Sequence, residues 1–398
     1  MTTPRVLIIA GSDSGGGAGI QADIKAVSML GGHAMTAITA ITAQNTLGVT
    51  GVHPVPTDMV VAQIDAVLAD IGVDAVKIGM IGSARTAMAV ADRLEELAGL
   101  PIVFDPVMVA TSGAELADAA TIAAFERLMR VATLCTPNLP ELRQLSGMEV
   151  EGGEAVRTAA LSLVQRHGCA VLAKGGHGSG GEVIDRLFSP EETAVPEVEW
   201  RDPRIVTEDT HGTGCTLSST IATELAKEWT LGEAVGRARW FVRMALREAP
   251  GLGAGHGPMG HQNVRLDLNL SRYAPMLNHV TLPAGDVAAA ERFYRLLGLK
   301  QIVRSQPRYA RFESEGGMTF SAEAADAIDG RPVVYFECGD LDMTVAYLAQ
   351  HGVVFDSGPA EQGWGWREAR LRDPSGNRLC LYQAGEMRRF PSWRVDDA

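Results

Sequence analysis

A glycine-punctuated stretch near the middle of the chain carries the residue types of an anion-binding site. Residues 210–218 read THGTGCTLS, in which Gly212 and Gly214 let the backbone approach a ligand without Cβ clashes. The helical pattern that follows presents unpaired N–H groups and the positive end of its dipole, which together favour phosphate. We expect the thiol of Cys215, on the first turn, to have a lowered pKa. A plain glycine turn with a buried cysteine has the same local sequence, so this stretch alone leaves both interpretations open.

Polar residues stand directly after short apolar runs at several other places along the chain. The run from Arg5 to Ala10 is rich in β-branched residues and ends in a glycine-rich loop, which is typical of a strand that leads into a helix. Short apolar strands that alternate with helices favour a mostly parallel sheet, and ligands bind beyond the carboxyl ends of such strands. The polar residues predicted at these ends are Asp13, Gln44, Asp105, Asn138 and Lys174.

These residue types suit the transfer of a phosphoryl group. Asp105 and Glu141 supply hard carboxylate oxygens of the kind that bind Mg²⁺ together with phosphates. Lys174, which precedes two glycines, is placed to contact a nucleotide phosphate. Phosphoryl transfer depends mainly on such positioning and charge neutralisation. The sequence contains no GxxxxGK(S/T) loop, which excludes the P-loop class, and the missing HRD and DFG motifs argue against the protein-kinase class.

The composition describes an acidic globular protein. The chain has 398 residues, of which 46% are hydrophobic and 21% charged, with 44 glycines and a net charge of −13. This charge argues against nucleic acid and anionic membranes as partners. The five cysteines form no CxxC pair, which favours a reducing compartment and no zinc module. Because we find no secretory signal and no stretch of about 20 apolar residues, we expect a cytoplasmic protein.

A glycine-rich break divides the chain into two predicted domains. Residues 1–262 contain the alternating strands and helices of an α/β domain with helices on both faces of its sheet. Residues 251–258 are predicted to end this domain and to lead into a linker at 263–276. Residues 277–384 give one β-α-β-β-β pattern twice, as an internal repeat of about 50 residues. The charged residues 385–398 are predicted to form a loose tail.

The first domain resembles the ribokinase superfamily and, within it, the hydroxymethylpyrimidine/phosphohydroxymethylpyrimidine kinases of thiamine biosynthesis. The resemblance covers residues 5–260 and implies ATP-dependent phosphorylation of 4-amino-5-hydroxymethyl-2-methylpyrimidine, first on its hydroxymethyl group and then on the monophosphate. The motifs that carry it, in order, are AGSDSGGGAGIQADIKA (10–26), TAITAQNTLGV (39–49), VKIGMIGS (76–83), VFDPVMVATSGAEL (103–116), TPNLPE (136–141), LAKGGH (172–177) and DTHGTGCTLSS (209–219).

The same resemblance implies roles for individual residues. Gln44 would pair with the pyrimidine edge, since its amide offers both a donor and an acceptor. Cys215 stands where most ribokinase relatives carry an aspartate base, and its thiolate would take the proton from the attacking hydroxyl. In the alternative, Cys215 only packs and the hydroxyl loses its proton late. The other implied residues are Gly11, Asp23, Met80 and Val107 for the substrate, Lys174 and Thr207 for ATP, and Gly212, Thr213 and Gly214 for the anion hole.

A pyridoxal kinase of the same superfamily is the main alternative for this domain. Some pyridoxal kinases also have a cysteine in the anion hole, and both substrates are flat heteroaromatic rings with a hydroxymethyl arm. The sequence context of Gln44 and Met80 favours the pyrimidine.

The second domain resembles the glyoxalase/bleomycin-resistance superfamily through NHVTLPAGDVAAAERFYRLLGLK (278–300) and RDPSGNRLCLYQ (372–383). Enzymes of that superfamily hold a divalent metal, and His279 matches the first ligand position. The second position falls near Val333, and Cys380 replaces the usual glutamate. One remaining ligand does not make a metal site, so we expect a metal-free module that binds a small molecule. The residues predicted to line its cavity are Tyr309, Phe320, Trp364 and Trp366.

Three functional hypotheses follow from this organisation. The first is a kinase with an appended binding domain, using ATP and Mg²⁺ on a small pyrimidine. The second is a bifunctional enzyme whose second domain catalyses a metal-dependent lyase or dioxygenase step. The third is a protein in which both domains only bind. Intact Asp105, Glu141, Lys174 and Cys215 argue against the third, and Val333 and Cys380 argue against the second. Because both resembled families commonly self-associate, we also expect a homo-oligomer.

Overall fold

The computed structural model of the chain consists of two compact units, Met1–Gln262 and Asn263–Ala398. The predicted linker at 263–276 lies mostly outside the described residues. The structure describes residues 3–97, 99–109, 113, 116–178, 180–190, 197–264, 275–296, 299–314, 317–325, 332–372 and 378–395.

The first unit alternates strands and helices, as the apolar pattern predicts. Its strands are β1 (Arg5–Asp13), β2 (His33–Asn45), β3 (Gly48–Pro54), β4 (Ala75–Ile78), β5 (Ile102–Phe104), β6 (Leu134–Cys135), β7 (Ala170–Ala173), β8 (Glu182–Phe188) and β9 (Glu197–Pro203). Its helices are α1 (Gly19–Met29), α2 (Thr57–Asp70), α3 (Ala84–Glu95), α4 (Ala119–Val131), α5 (Leu139–Ser146), α6 (Gly153–His167), α7 (Thr213–Ala226) and α8 (Leu231–Arg247).

Within the described residues, nine strands of this unit form one sheet in the order β3-β2-β1-β4-β5-β6-β7-β8-β9. The six central strands are parallel to one another: β2, β1, β4, β5, β6 and β7. β3 at one margin and β8 and β9 at the other are antiparallel. The mostly parallel α/β fold predicted from the sequence is therefore confirmed. The carboxyl ends of β1, β5 and β7 lie at one edge of the sheet, which places their following residues together.

Helices cover both faces of the sheet because the residues of its central strands alternate between two apolar layers. Leu7 and Ile9 of β1 face a core shared with α2, α3 and α4. Val6 and Ile8 face a second core shared with α1, α7 and α8. A strand buried on both sides reads as a continuous apolar run, which is why RVLIIA predicted it. Among the described residues, no helix combines the length and apolar character needed to cross a membrane.

The second unit contains the predicted repeat. Its strands are β10 (Met276–Ala284), β11 (Lys300–Ser305), β12 (Tyr309–Glu313), β13 (Thr319–Ala324), β14 (Val333–Glu337), β15 (Phe355–Glu361), β16 (Arg367–Arg372) and β17 (Arg378–Gln383). Its helices are α9 (Val287–Leu296) and α10 (Leu341–Gln350). The eight described strands form one sheet in the order β11-β12-β13-β10-β14-β17-β16-β15. The two β-α-β-β-β copies meet where β10 pairs antiparallel with β14.

Candidate active site

Asp13, at the carboxyl end of β1, holds the glycine-rich loop that follows it. Its Oδ1 accepts a hydrogen bond from Gly15 N (2.8 Å), and its Oδ2 accepts from Gly17 N (3.0 Å) and Ala18 N (2.8 Å). Burial alone would raise the pKa of this carboxyl, but the hydrogen bond with His211 and the backbone donors lower it overall. Asp13 is therefore an ionised acceptor that fixes the loop.

His211 joins this loop to the anion-binding stretch at the start of α7. Its Nε2 lies 2.9 Å from Asp13 Oδ2. The backbones of the two loops also touch, because Gly212 has a left-handed conformation (φ 82°) and a Cβ there would overlap the carbonyl oxygen of Gly17. Only glycine fits such a position. Gly212 thus lies close to the other glycine loop, and its predicted approach to a ligand stays a prediction.

The buried Asp105 and the half-buried Lys174 form an ion pair in front of α7. Lys174 Nζ donates to Asp105 Oδ1 (2.7 Å), which also accepts from Thr136 Oγ1 (2.9 Å). A Cβ added to Gly214 would lie 3.3 Å from both Asp105 Oδ2 and Lys174 Nζ, so the amino end of α7 faces the pair directly. The structure thus brings together a lysine, a carboxylate and the anion-binding turn.

Glu141 approaches the same pair from the first turn of α5. Its Oε2 accepts from Asn138 N (2.8 Å) while Asn138 Oδ1 accepts from Glu141 N (2.9 Å), which forms a capping box. Burial raises the pKa of Glu141 to about 7, with the charge of Lys174 lowering it and that of Asp105 raising it. Glu141 therefore holds the start of α5 and also faces the charged centre.

The two carboxylates fit Mg²⁺ only in combination with phosphate oxygens. Among the described residues, no three His, Cys, Asp or Glu side chains come together as a metal cluster. Mg²⁺ is typically bound by one or two carboxylates while phosphates and waters supply the other ligands. Asp105 and Glu141 therefore suit an ion that arrives with a nucleotide.

The thiol of Cys215 differs from the prediction. Burial raises its pKa to about 11, with the charge of Lys77 lowering it and those of Asp23 and Asp105 raising it. The residue keeps part of its surface accessible, but its thiol is protonated near neutral pH. The expected lowering of the pKa at the helix terminus is wrong, because desolvation and the two carboxylates outweigh the favourable charges.

Lys77 and Asp23 form a fully buried ion pair whose charges act on Cys215. Lys77 Nζ lies 2.9 and 2.8 Å from the two carboxylate oxygens of Asp23, and Ser219 Oγ donates to Asp23 Oδ1 (2.6 Å). Burial opposes the charge of Lys77, but Asp23, Cys215 and Asp105 raise its pKa overall. Asp23 thus points into the unit and is engaged by Lys77. Its implied role toward the substrate stays a prediction.

Three further residues are implied for the substrate or ATP, and their roles stay predictions. The side chain of Met80 covers Gly11, where an added Cβ would overlap it. Val107 follows Asp105 in a tight turn, with Val107 N donating to Asp105 O (2.8 Å). Thr207 lies on the segment before α7, where its hydroxyl accepts a local bond from Asp209 N (3.1 Å).

Gln44 is half-buried at the end of β2 and touches the anion-binding stretch. Its Oε1 lies 3.1 Å from Thr42 Oγ1, and its Nε2 lies 3.1 Å from His211 Nε2. This contact joins the residue implied to read the pyrimidine to the loop implied to bind phosphate.

Arg204 is a residue of this region that the sequence did not single out. Its guanidinium donates to the carbonyls of Gly176 (2.9 Å), Gly178 (2.8 Å) and Gly180 (3.0 Å), which holds the loop after Lys174. Nothing in the sequence distinguishes it from other arginines. The roles of Asp13 and His211 were also missed, although both stand inside glycine-rich motifs and that placement is a usable signal.

The glycine-rich segment at 251–258, which is predicted to end the first domain, packs against the candidate site. Gly255 N and His256 N donate to the hydroxyl (3.3 Å) and carbonyl (2.9 Å) oxygens of Thr46, and His211 N donates to Gly257 O (3.1 Å). The segment therefore ties the end of β2 to the start of α7 and belongs to the site. Its glycines permit close backbone contact, which composition alone does not distinguish from flexibility.

In the second unit, three adjacent strands place His279, Tyr335 and Cys380 side by side. His279 pairs with Tyr335, and Tyr335 pairs with Cys380. Val333, near which the second ligand position is expected, pairs with Thr281, and Tyr335, two residues further on, lies beside His279.

His279 is bound by hydroxyl groups on this face. Its side chain is 2% exposed, with ring nitrogens 2.7 Å from Thr319 Oγ1 and 3.1 Å from Thr281 Oγ1. Burial, together with the charges of Arg311 and Arg388, holds the pKa of His279 well below its ordinary value. The imidazole is therefore neutral.

The four residues predicted to line one cavity do not all lie on the same face of the sheet. Trp366 is buried beside His279, with ring centroids 5.4 Å apart, and Tyr309 lies nearby through Ser321. Phe320 packs on the opposite face, in the core beside α9, because successive strand residues alternate. Trp364 is 40% exposed. The prediction of a shared lining is therefore wrong for Phe320.

The charged residues after β17 are packed rather than loose up to residue 395, the last one described. Arg388 is 1% exposed and donates to Gly317 O (2.6 Å). Arg394 Nη2 donates to Glu313 Oε1 (2.8 Å). The prediction of a loose tail is wrong because its arginines meet buried acceptors on the sheet.

The fold and site of the first unit define a ribokinase-like phosphotransferase, in which the amino end of a helix faces a lysine and two carboxylates. The sequence profile of the family described as Phosphomethylpyrimidine kinase matches residues 13–260, which is more than half of the chain. The chain belongs to the phosphomethylpyrimidine kinase family. Residues 276–381 match the Glyoxalase/Bleomycin resistance protein/Dioxygenase superfamily. Both resemblances noted in the sequence are confirmed.

Similar proteins cover the first unit. The chain is 48% identical over 257 residues to the Thiamine biosynthesis bifunctional protein ThiED of Geobacter sulfurreducens; the match covers 64% of this chain and 52%, about half, of that protein. It is 48% identical over 265 residues to the Hydroxymethylpyrimidine/phosphomethylpyrimidine kinase of Rhizobium meliloti, covering 65% and 97%. An ADP complex of Bacillus subtilis pyridoxal kinase is similar at a TM-score of 0.61 and 35% identity, covering 67% of this chain and 100% of that one.

Proposed function

We propose that the first unit phosphorylates 4-amino-5-hydroxymethyl-2-methylpyrimidine and then its monophosphate, with ATP as donor, in thiamine biosynthesis. Membership of a kinase family implies the use of ATP, and a relative of that kinase name is 48% identical. The observation that carries the proposal is the convergence at α7, where Gly214 stands within contact distance of Asp105 and Lys174.

The anion-binding turn has the clearest role. The backbone N–H groups of residues 212–215 and the dipole of α7 would stabilise the charge on the transferred phosphoryl group. Lys174, whose pKa is raised by Asp105 and Glu141 against the effect of burial, stays charged and would contact the nucleotide phosphates. Asp105 and Glu141 would hold Mg²⁺, which neutralises phosphate charge when bound.

Cys215 is proposed to act in its thiolate form, taking the proton of the attacking hydroxyl. Because its pKa is about 11, the thiolate is a minor species at neutral pH. The contribution of this base therefore rises with pH. At lower pH the hydroxyl loses its proton late, after a loose transition state has formed.

The test is ATP consumption by the full chain with three acceptors: the hydroxymethylpyrimidine, its monophosphate and pyridoxal. We expect the first two to be substrates and Cys215→Ala to lose most turnover with both. A higher kcat/KM for pyridoxal would favour the alternative, a pyridoxal kinase. Unchanged turnover in Cys215→Ala would remove the base assignment.

For the second unit we propose metal-free binding of a small molecule. Tyr335 and Cys380 stand beside His279, and both nitrogens of His279 are within hydrogen-bonding distance of hydroxyls. The buried indole N–H of Trp366 has no hydrogen-bond partner among the described residues, and a ligand acceptor would satisfy it. Stoichiometric Mn²⁺, Ni²⁺, Zn²⁺ or Fe²⁺ in the purified protein, lost in His279→Ala, would favour the bifunctional alternative.

Self-association and a cytoplasmic location stay predictions from the sequence. Light scattering on the eluting full chain measures the first, and fractionation of cells measures the second.

A further inference from the structure

The two faces of the sheet in the second unit differ in chemistry. The face toward α9 is apolar, with Phe312 and Phe320 packed against Tyr294. A buried polar lining costs free energy unless its groups are satisfied, and it is typical of a ligand site rather than of a core. The opposite face has such a lining, whose buried members are His279, Thr281, Arg311, Glu313, Thr319 and Glu337.

Arg388, which follows β17 in the chain, lies against this polar face. Its side chain is 1% exposed, its Nη1 donates to Gly317 O (2.6 Å), and its Nε lies 3.3 Å from Glu337 Oε2. Its Nη1 also lies 3.4 Å from Thr319 Oγ1, the hydroxyl that contacts His279. The guanidinium therefore supplies hydrogen bonds to the polar lining next to the partner of His279.

Met387 covers the aromatic part of the same face. It packs against a cluster that contains Tyr335, Trp366 and Tyr382. The indole of Trp366 stacks on the ring of Tyr382, with centroids 4.6 Å apart. Two consecutive side chains thus present what a bound molecule would present: an apolar body against the rings and a cationic head against a carboxylate.

The carboxylate of Glu337 is itself held in place from the sheet. Asn278 Nδ2 donates to Glu337 Oε2, and Asn278 Oδ1 accepts from Tyr382 Oη (2.6 Å). Because Asn278 donates to it, this oxygen of Glu337 is an acceptor. An acceptor carboxylate beside stacked aromatic rings suits a flat cation with N–H donors.

The segment 385–395, which we call the covering segment, is able to lift without unpairing the sheet. All of its residues are described, and none belongs to a strand. Arg389 and Arg394 attach it to Glu313 (3.2 and 2.8 Å), and Val395 N donates to Ile302 O (3.1 Å). Lifting it gives up these contacts and leaves the pairing of the eight described strands intact.

We propose that the polar face of the second unit binds an organic cation, a guanidinium or amidinium group on a flat apolar body, and that Met387 and Arg388 occupy this site as an internal ligand. The proposal rests on the small-molecule binding proposed for this unit and names the ligand class. Glu337 pairs with the cationic head, and Trp366 and Tyr382 contact the body. The ligand and the covering segment compete for the same place.

The experiment uses benzamidine, a flat ring with an amidinium group, and benzamide, its neutral counterpart of nearly the same shape. Calorimetry on the full chain gives Kd for both. We expect Arg388→Ala to bind benzamidine at least about tenfold more tightly than the wild type, because the internal guanidinium no longer competes. In Arg388→Ala, benzamidine should also bind at least about tenfold more tightly than benzamide.

Two substitutions added to Arg388→Ala test which carboxylate is used. Glu337→Gln should weaken benzamidine binding at least about tenfold, since the charged acceptor is lost. Glu361→Gln, which alters an exposed pair with Arg367, is the matched control and should leave Kd unchanged.

An engineered disulfide tests whether the covering segment must lift. A Cβ on Gly365 would lie 4.0 Å from Met387 Cβ, a separation that suits a disulfide. In Gly365→Cys/Met387→Cys, which keeps Arg388, the oxidised form should bind benzamidine at least about tenfold more weakly than the reduced form. The reduced form of the same protein is the control.

Each contrary result has a distinct meaning. Equal Kd for the two compounds in Arg388→Ala would overturn the preference for a cation, while small-molecule binding by this unit would stand. Binding of neither compound, no effect of Glu337→Gln, or equal binding by the oxidised and reduced forms would overturn the inference. Stoichiometric metal that His279→Ala loses would instead overturn the metal-free function.

Circular dichroism checks the fold of each variant. Gly365 has a left-handed φ of 77°, so a cysteine there is strained. Should the reduced double variant fail to fold, Arg388→Ala and its Glu337→Gln derivative decide. Should Arg388→Ala fail to fold, the comparison of oxidised and reduced forms decides.

Discussion

Lys174 Nζ lies 2.7 Å from Asp105 Oδ1, across 69 positions of sequence. The pair joins the ends of β7 and β5 directly in front of α7. It occupies the place where phosphates and their cation would sit in the proposed reaction. A bound nucleotide must therefore compete with Asp105 for the lysine.

Substitution of Lys174 should affect activity and stability separately. We expect Lys174→Met to lower kcat/KM for ATP by at least about 100-fold, since a charge that stabilises the transferred group is lost. It should also destabilise the first unit by about 3 kcal/mol, because Asp105 is left buried and unpaired. Adding Asp105→Asn should recover the stability but not the activity. Steady-state kinetics and urea unfolding measure the two effects; recovery of activity in the double variant would contradict the role of Lys174.

The reactivity of Cys215 should follow its raised pKa. With a pKa of about 11, alkylation by iodoacetamide should be slow at pH 7 and should rise about tenfold per pH unit up to pH 10. Peptide mass mapping follows Cys215 separately from the buried Cys135 and Cys169, which serve as internal controls. A rate that levels off near pH 7 would show instead the lowered pKa that the helix terminus alone predicts.

Removing one partner of the buried Lys77–Asp23 pair should lower the free energy of unfolding far more than replacing both partners with apolar residues. Lys77→Met leaves Asp23 uncompensated, and we expect a loss of about 3–5 kcal/mol in the free energy of unfolding. Adding Asp23→Leu should recover most of it. Arg143→Met, which removes an exposed pair with Glu149 (62% and 68% accessible side chains), should cost less than about 1 kcal/mol. Equal losses in the two single variants would contradict this account.

The packed end of the second unit should loosen in acid. Burial alone would raise the pKa of Glu313, but Arg394 and Arg389 lower it below the ordinary 4.5. The stabilisation is therefore present above about pH 4.5 and is lost as the pH falls through the lowered value. Limited proteolysis by pepsin should cut after β17 only in that lower range. Glu313→Gln should permit cutting by trypsin at neutral pH, whereas Glu361→Gln, which alters an exposed pair, should not.

Sequence reasoning found the parallel core because its strands carry an unambiguous pattern. The residues of β4 and β7 are all buried and, apart from Lys77 in β4, all apolar, so these short runs stand out. The edge strands β3 and β9 are largely exposed, and their mixed polar composition gave no comparable signal. Strand ends were therefore predictable, whereas the antiparallel margins of the sheet were not.

Contacts between residues that are far apart in the sequence could not be predicted. Lys77 lies within a buried strand, but nothing local indicates that Asp23, 54 residues away, neutralises it. Burial is the main cause that raises the pKa of Cys215, and because the local sequence does not show that burial, the direction was predicted wrongly. In the second unit the register of β14 places Tyr335 beside His279, two residues beyond Val333, and the sequence pattern alone does not give that register.

The contacts of the segment at 251–258 limit where evolution could have joined the two coding sequences. His211 N bonds to Gly257 O, and His211 also forms a bridge with Pro258. A junction upstream of Pro258 would remove the residues that make these contacts with the start of α7. The match to the second family begins at residue 276. Contacts of the first unit continue beyond Pro258, since His261 Nε2 lies 2.8 Å from Thr216 Oγ1 of α7. A junction that preserves these contacts therefore lies after His261 and before residue 276.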